Sequence, residues 1–346
     1  MAGRPELSPA MPPSGQWLAL SDHTGPIGVS PLPQMVLSGS LVFELVQPKP
    51  GATVLLDYRI AGMSGSCTLS IFFDSRNGIS LLHRDGDMVS RLHLPGPLPQ
   101  NIGEARLIYD WDRPAGFWGL RLEDSGGCWS QSIAGHNPMP IAGADILALC
   151  AGPNAARRDP SVLWFGLCTG RPNAPPSSWL GQRTPLQTPH GPVAAADLQP
   201  GDLVQTLDHG AQPILATRTL TLPNRGRSAP ILLRAPYFAN HVDLLVAQGQ
   251  MTLLTGVGVE YLFGEDAVLA PAAALRDGNT ALPDTRRPTT TCVSLDLGKP
   301  ALILADGCPL LVSADTATAL PYRLLHDYEV LPLQSLLGRG GQRNAA

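Results

Sequence analysis

The chain has 346 residues, the length of about two domains of ordinary size, and 44% of them are apolar, which is enough to fill two cores. It has 24 Lys and Arg against 28 Asp and Glu, a net charge of -4, and only 15% charged residues. This composition excludes a disordered or collagen-like chain and argues against nucleic-acid binding by electrostatic attraction. The 36 glycines and 35 prolines favour frequent turns and few long helices. Composition alone therefore predicts an all-β protein.

The six cysteines are far apart in the sequence, without a C-x-x-C pair or a histidine at zinc-ligand spacing. We therefore expect no metal site and interpret the cysteines as reduced core residues. The first residues contain Arg4, Glu6 and several prolines where a signal peptide needs a basic start and an unbroken apolar stretch. The longest candidate span, Leu244–Val259, is too short and contains glutamines. We expect no signal peptide and no membrane span, and a location in the cytoplasm or export by a signal-less route.

The first half of the chain has the pattern of a β-sandwich. Residues 1–34 are rich in Pro, Ser and Gly and are predicted to form a loose arm. Short β-type runs with turn residues between them then predict a sandwich of the jelly-roll or lectin-like kind over residues 35–150. The runs are 35–46, 52–60, 67–75, 79–87, 88–94, 105–112 and 117–124. The last two are predicted to form a hairpin through Arg113–Gly116.

Three prolines within five residues, Pro172–Pro176, mark the best candidate for a domain boundary. We predict a Pro-rich linker over residues 151–178 and a second all-β domain over residues 179–337. Only residues 272–276 and 322–337 indicate helical turns. Residues 338–346 are predicted to be a polar, disordered tail.

The segment TPLQTPHGPVAAADLQPGDLVQTLDHGAQPI, Thr184–Ile214, is the most informative in the chain. It resembles the opening of the bacterial branch of the Hint domain, the fold of hedgehog autoprocessing domains and inteins. Further blocks follow in the family's order: LLVAQGQMTLL (244–254), EYLFGEDAVLAPAAAL (260–275) and ALILADGCP (301–309). The residues that fall on family positions in the opening segment are Val193, Leu198, Gly201, Asp202, Val204, Thr206, Asp208, Gly210, Gln212 and Pro213.

The best-matched block predicts scaffold rather than chemistry. Gly201 supplies a turn geometry that other residues resist, and Asp202 supplies an acceptor for exposed turn amides. We interpret Asp208 in the same way, and place Gly210 in a hairpin turn. These four residues are therefore expected to shape the domain.

The resemblance implies self-cleavage by a nucleophile at the first residue of the domain. A Cys, Ser or Thr attacks the preceding carbonyl, and a histidine protonates the leaving amide nitrogen. Counting back from Thr188 places Trp179 at the nucleophile position, with Ser178 one residue earlier. Gln250 occupies the position of the family's histidine in its block, and Ser294 and Pro300 occupy two later positions where histidine is common.

These departures predict a Hint fold without self-cleaving activity, acting as a structural or protein-interaction module with an unidentified protein partner. The enzyme alternative is intramolecular autoproteolysis or acyl transfer, with Ser178 as nucleophile and His190 as proton donor. No phosphate-binding glycine loop, G-x-S-x-G elbow or H-E-x-x-H motif occurs, and we expect no cofactor.

A third alternative assigns the function to the sandwich. Asp110, Trp111 and Asp112 combine an aromatic face with two carboxylates, as sugar-binding sites do. This hypothesis requires Trp111 to be exposed in a concavity. A tryptophan buried under the facing sheet would instead be part of the core.

Overall fold

The computed structural model describes residues 15–46, 51–62, 65–99, 103–124, 129–151, 156–170, 172, 176–312 and 322–340. The chain divides into two compact units, residues 1–173 and 174–346. Strands dominate both, so the all-β prediction is confirmed. The first 14 residues, Cys128 and residues 341–346 of the expected tail lie outside the described residues.

The first unit contains fourteen strands and one helix among its described residues. They are β1 (Trp17–Asp22), β2 (Gly25–Val29), β3 (Met35–Val36), β4 (Ser38–Val46), β5 (Ala52–Gly62), β6 (Gly65–Asp74), β7 (Gly78–Asp85), β8 (Met88–Pro95), β9 (Glu104–Asp112), β10 (Phe117–Asp124), β11 (Ser130–His136), β12 (Ile141–Ala142), α1 (Gly143–Cys150), β13 (Ala156–Arg158) and β14 (Val162–Cys168).

Two antiparallel sheets make the first unit a β-sandwich. One sheet has the order β11-β10-β9-β4-β14-β1-β2, and the other has the order β13-β5-β6-β7-β8. Alternate side chains of a strand point to opposite faces, so Leu41, Phe43 and Leu45 of β4 share one face. They pack in a single core with residues of the second sheet, such as Leu56 and Ile71. The predicted hairpin is confirmed, because β9 pairs with β10 across residues 113–116.

The structure corrects the expected arm and linker in part. Residues 17–29 form β1 and β2 of the larger sheet, where β1 pairs with β14. Residues 156–158 and 162–168, assigned to the linker by sequence, form β13 and β14 of the sandwich. The high proline and glycine content near these segments concealed short strands whose partners are distant in sequence.

The second unit contains fifteen strands and two helices among its described residues. They are β15 (Leu180–Gly181), β16 (Pro185–Thr188), β17 (Gly191–Ala194), β18 (Leu203–Thr206), β19 (Gly210–Pro213), β20 (Ala216–Pro223), β21 (Ile231–Leu233), β22 (Leu244–Val246), β23 (Met251–Thr255), α2 (Val257–Phe263), β24 (Ala267–Pro271), β25 (Ala281–Pro283), β26 (Thr289–Asp296), β27 (Ala301–Ala305), β28 (Cys308–Val312), β29 (Arg323–Leu324) and α3 (Asp327–Gly340).

Two sheets form the second unit. One has the order β20-β26-β15-β22-β21-β25; the other runs β17-β16-β27-β28-β23-β24-β29, with the hairpin of β18 and β19 joined to β27. Their apolar faces share one core, which includes Leu186, Val204, Val246, Val293 and Ile303. The short β15 lies between β22 and β26, so it places the residues just before it next to two other strands.

The helices differ from the sequence predictions. α1 and α2 were not predicted, whereas residues 272–275 form turns where the sequence indicates them. The chain enters α2 through Gly256 and leaves it at Gly264, whose φ of 67° is the left-handed conformation that ends many helices. α3 begins within the predicted C-terminal helical region and extends to Gly340, past the predicted start of the tail at residue 338.

Candidate functional site

Gly201 and Asp202 lie in the turn before β18, where the sequence indicates a turn. The φ of Gly201 is 98°, a value that residues with a side chain rarely adopt. Asp202 Oδ2 accepts the backbone N–H of Gln199 at 2.8 Å, which caps the turn. The N–H of Gly201 donates to the carbonyl of Ile214 at 2.8 Å and fixes the turn to the end of the β18–β19 hairpin.

The hairpin turn between β18 and β19 is capped by a different residue from the one expected. Thr206 Oγ1 accepts the N–H of His209 at 3.0 Å and donates to the carbonyl of Gly210 at 2.8 Å. Asp208 instead accepts the N–H of Leu302, on the neighbouring β27, at 3.3 Å. Asp208 therefore joins the hairpin to a strand that is adjacent in space but distant in sequence. Thr206 caps the turn instead of Asp208, for which the sequence had predicted this role.

Ser178, the candidate nucleophile, is half-buried at the entrance to β15. Its Oγ donates to Gln250 Oε1 at 2.7 Å, and the carbonyl of Leu311 lies at the longer distance of 3.4 Å. Ser294 Oγ donates to the backbone carbonyl of Ser178 at 3.1 Å. The structure thus brings together Ser178 and the residues at two of the positions where the family has histidine. We refer to Ser178, Gln250 and Ser294 as the serine cluster.

Gln250 is fully buried, with 0% of its surface exposed. Its Nε2 donates to the carbonyl of Leu311 at 2.7 Å and to that of Met251 at 3.3 Å. Because carbonyl oxygens only accept, they fix the NH₂ end of the amide and direct Oε1 towards Ser178. The side chain is held from both ends and has no freedom to act as a mobile acid or base.

The backbone before Ser178 passes closely over Gly249. A Cβ built on Gly249 would lie 2.8 Å from the carbonyl oxygen of Ser177, closer than real Cβ contacts allow. This close approach requires glycine, and it packs the Ser177–Ser178 peptide against the turn that carries Gln250.

The serine cluster lacks a group that could remove a proton from Ser178. An amide oxygen is a hydrogen-bond acceptor but is not protonated near neutral pH, so Gln250 cannot serve as a general base. A serine hydroxyl needs such a base to become a nucleophile. Among the described residues, the hydrogen bonds of Ser178 involve no histidine.

Trp179, which the sequence count places at the nucleophile position, is a core residue. Only 3% of its surface is exposed, and its ring packs with Leu220, Leu222 and Cys292. Its carbonyl accepts the N–H of Ala247 at 3.0 Å. The hydroxyl that faces Gln250 belongs to Ser178, one residue earlier than the count gives.

His190, the predicted proton donor, is exposed in the turn between β16 and β17. Its N–H donates to Thr188 Oγ1 at 3.2 Å, and it is not hydrogen-bonded to Ser178. The cysteine thiols of the domain do not offer an alternative nucleophile. Cys292 and Cys308 are buried, and burial raises the pKa of each thiol to about 12. Both remain protonated at neutral pH and are poor nucleophiles.

The sugar-binding arrangement expected in the sandwich does not form around Trp111, whose exposed fraction is 0%. Its ring stacks on Tyr109 with centroids 5.3 Å apart, and its Nε1 donates to the carbonyl of Val36 at 3.1 Å. Asp110 is also buried and accepts a hydrogen bond from Ser40, whereas Asp112 caps the β9–β10 turn through the N–H of Ala115. This corrects the expectation, because a ring enclosed by the core offers no face to a sugar.

The described part of the chain holds no group of three or more His, Cys, Asp or Glu side chains placed to bind a metal ion. Five cysteines are buried there as free thiols: Cys67, Cys150, Cys168, Cys292 and Cys308. None of the helices in the described ranges has the length and apolar character that a membrane span requires.

Comparison with known proteins gives one family match. The family model described as a Hint domain matches residues 180–311. No curated protein matches the chain.

Solved structures with similar regions have low identity and low TM-scores. The MchDnaB-1 intein is 17% identical over 38% of this chain and 98% of the intein, with a TM-score of 0.26. The CBM40 module of a Ruminococcus gnavus IT-sialidase, bound to α2,3-sialyllactose, is 12% identical over 44% of this chain and 88% of that one, with a TM-score of 0.28.

The family match begins at β15, directly after the serine cluster's first residue and Trp179, and ends within β28. It includes the capped turn of Asp202, the β18–β19 hairpin, Gln250 just before β23 and Ser294 on β26. Residues 180–311 of this chain therefore form a Hint domain.

Proposed function

We propose that the Hint domain of this protein does not cleave its own chain and acts as a structural or protein-interaction module. The observation that carries this proposal is the hydrogen bond from Ser178 Oγ to Gln250 Oε1 at 2.7 Å. It pairs the available hydroxyl with a neutral amide, where self-cleavage requires an ionisable group.

The loss of one catalytic group is expected to abolish most of the activity, because nucleophile, base and proton donor act as a unit. The arrangement of Ser294 supports the same proposal. Its hydroxyl donates to the carbonyl on the C-terminal side of Ser178, whereas attack by Ser178 would occur at the carbonyl of Ser177. The cluster therefore holds the backbone in place without polarising the bond that cleavage would break.

Exposed apolar side chains on α2 and α3 support an interaction role. Val257 and Tyr261 of α2 are 82% and 83% exposed, and Tyr328 and Leu331 of α3 are 70% and 62% exposed. Large apolar side chains grouped on two helices are typical of protein-interaction surfaces.

Intact-mass measurement of the purified full-length chain after prolonged incubation tests the proposal. We expect one full-length species in the wild type and in the Ser178→Ala variant. Two fragments that meet at the Ser177–Ser178 bond in the wild type, and their absence in Ser178→Ala, would contradict the proposal and identify Ser178 as a nucleophile.

The second candidate function is slow self-cleavage before Ser178. It is favoured by the placement of the Ser178 hydroxyl against position 250, where the family has histidine. In this case the amine would have to be protonated by water, and cleavage would be accelerated by a strong external nucleophile such as hydroxylamine. Incubation with hydroxylamine therefore distinguishes a slow ester intermediate, which is cleaved, from an inert peptide bond, which is not.

A further inference from the structure

A small cavity of about 190 Å³ opens in the Hint domain beside β15 and β26, apart from the serine cluster. All residues around it belong to the described range 176–312. Its lining includes two arginines, Arg183 and Arg287, and the threonines Thr184, Thr289, Thr290 and Thr291. Neither the proposed structural role nor the cleavage chemistry uses any of these side chains.

Among the described residues, neither arginine of the cavity forms an ion pair or a side-chain hydrogen bond, although the charge of Arg287 helps to lower the pKa of the nearby Asp284 carboxyl. The adjacent Arg286 provides the contrast. Its Nε and Nη2 bind the two oxygens of Asp284 at 2.8 and 2.9 Å, so that carboxylate is already occupied. Arg183 and Arg287 therefore border one concave site with no guanidinium hydrogen bond to a side chain of the described residues.

The threonines add neutral donors. Thr184 and Thr290 are buried, and among the described residues none of the four threonine hydroxyls that line the cavity makes a hydrogen bond. Gly181 also lines the cavity, and a Cβ there would lie only 3.0 Å from Leu245 Cβ.

One carboxylate, that of Asp243, also lines the cavity and reduces the net positive charge of its lining. Its Oδ1 accepts the N–H of Ala235 at 2.9 Å. Two positive side chains against one negative leave the lining with a net positive charge. An anion with several acceptor oxygens is the group that both guanidinium forks and hydroxyls would bind.

We propose that this cavity binds a tetrahedral phosphate group, as free phosphate or as a phosphate monoester of a small molecule. Arg183 and Arg287 bind its oxygens through their guanidinium groups, and the threonine hydroxyls donate to the remaining oxygens. The volume suits one such group, whereas pockets for drug-sized ligands are about 300–1,000 Å³. This inference does not depend on whether the domain cleaves its chain.

Calorimetric titration of the full-length chain with inorganic phosphate, glycerol 3-phosphate and acetate tests the proposal. We expect saturable binding of one phosphate per chain, with acetate at least about tenfold weaker because it has fewer acceptor oxygens. Glycerol 3-phosphate binding more tightly than phosphate would identify a monoester as the ligand, and the reverse order would identify free phosphate. Acetate binding as tightly as phosphate would overturn the assignment to phosphate.

Arginine variants show whether the cavity is the site. Arg183→Gln and Arg287→Gln should each weaken phosphate binding about tenfold, the effect of losing a charge-assisted hydrogen bond. Arg218→Gln is the control, because Arg218 is an exposed arginine of the same domain that does not line the cavity, and its loss should change affinity less than about twofold. Equal weakening in all three variants, or the absence of saturable binding in the wild type, would overturn the proposal. Circular dichroism of each variant confirms that it is folded.

Discussion

Two polar networks of the second unit differ in charge. In the turn of residues 277–281, the carboxylate of Asp277 accepts the backbone N–H groups of Asn279, Thr280 and Ala281 and the hydroxyl of Thr280. In the serine cluster, Ser178, Gln250 and Ser294 are all neutral.

The difference indicates what each network can do. A carboxylate that accepts several neighbouring N–H groups forms strong hydrogen bonds within one turn, and its charge changes with pH. The serine cluster joins segments that are 72 and 116 residues apart in the sequence, and it contains no group that changes charge near neutral pH. The first network shapes one turn, whereas the second connects the segment before β15, the segment before β23 and the strand β26, at the position where the family's cleavage chemistry would lie.

Of the variants that test this comparison, Gln250→Leu should change the free energy of unfolding the most. The variant removes the acceptor of the Ser178 hydroxyl and the donor to the carbonyl of Leu311. Gln250 is 0% exposed, so water does not replace these partners. Buried polar groups without partners cost about 1–3 kcal/mol each, so we expect the free energy of unfolding to fall by about 2–4 kcal/mol. Equilibrium urea unfolding of the full-length chain measures it.

Gln187→Leu is the control for this prediction, because Gln187 is exposed on β16 and makes only one side-chain hydrogen bond, at 3.4 Å. Its unfolding free energy should change by less than about 0.5 kcal/mol. An equal loss in both variants would show that the serine cluster contributes no more than an exposed glutamine.

The sequence predicted the local parts of the site and missed the connections between them. Gly201 and Asp202 were predicted correctly as a turn, because the geometry of a turn is encoded in adjacent residues. Ser178 was singled out as the alternative nucleophile, and Gln250 and Ser294 as departures from the family pattern, but their contact was not predicted. These three residues meet because β15 pairs with both β22 and β26, and a local sequence pattern does not encode such long-range pairing.

The errors have the same physical origin. Asp208 was predicted to cap its own turn, and it reaches instead to Leu302 of the adjacent strand. Trp111 was considered as a sugar-binding face because it lies between two acids, yet the alternation of β9 directs it into the sandwich core. The signal available for Trp111 was this alternation, since Tyr109 and Leu107 are two and four residues earlier and lie in the same core.

Converting the neutral cluster into an ionisable one should have an intermediate effect. We expect the thiol of a Ser178→Cys, Gln250→His variant to react with iodoacetamide at pH 7 about tenfold faster than that of Ser178→Cys. The imidazole of histidine extends about as far as the glutamine amide, and an adjacent imidazolium lowers the pKa of a thiol and raises its thiolate fraction. Peptide mapping by mass spectrometry measures the rate at position 178.

Both variants are compared in a Cys128→Ser background, because Cys128 lies outside the described residues. Cys292 and Cys308 serve as internal controls, since burial raises the pKa of each to about 12 and both should remain unmodified. Equal alkylation rates in the two variants would mean that a side chain at position 250 does not influence position 178 electrostatically, contrary to the contact in the structure.

The smallest predicted change in stability concerns the Asp277 turn, and we expect it at low pH. Burial alone would raise the pKa of Asp277, but hydrogen bonds from Asn279, Ala281 and Thr280 lower it below the ordinary value of 3.8. A lowered pKa in the folded state means that the stabilisation is present above the unfolded pKa and is lost as the pH falls through the folded one. Because the carboxylate is largely exposed, we expect less than about 1 kcal/mol.

The difference in unfolding free energy between the wild type and Asp277→Asn isolates this contribution, because the other carboxylates titrate equally in both proteins. We expect the difference to be constant from neutral pH down to about pH 5 and to shrink below it as Asp277 is protonated. The corresponding difference for Gln250→Leu should not change over the same range, since the serine cluster has no titrating group. If the Asp277 difference were constant throughout, the two networks would not differ in charge dependence and the comparison between them would fail.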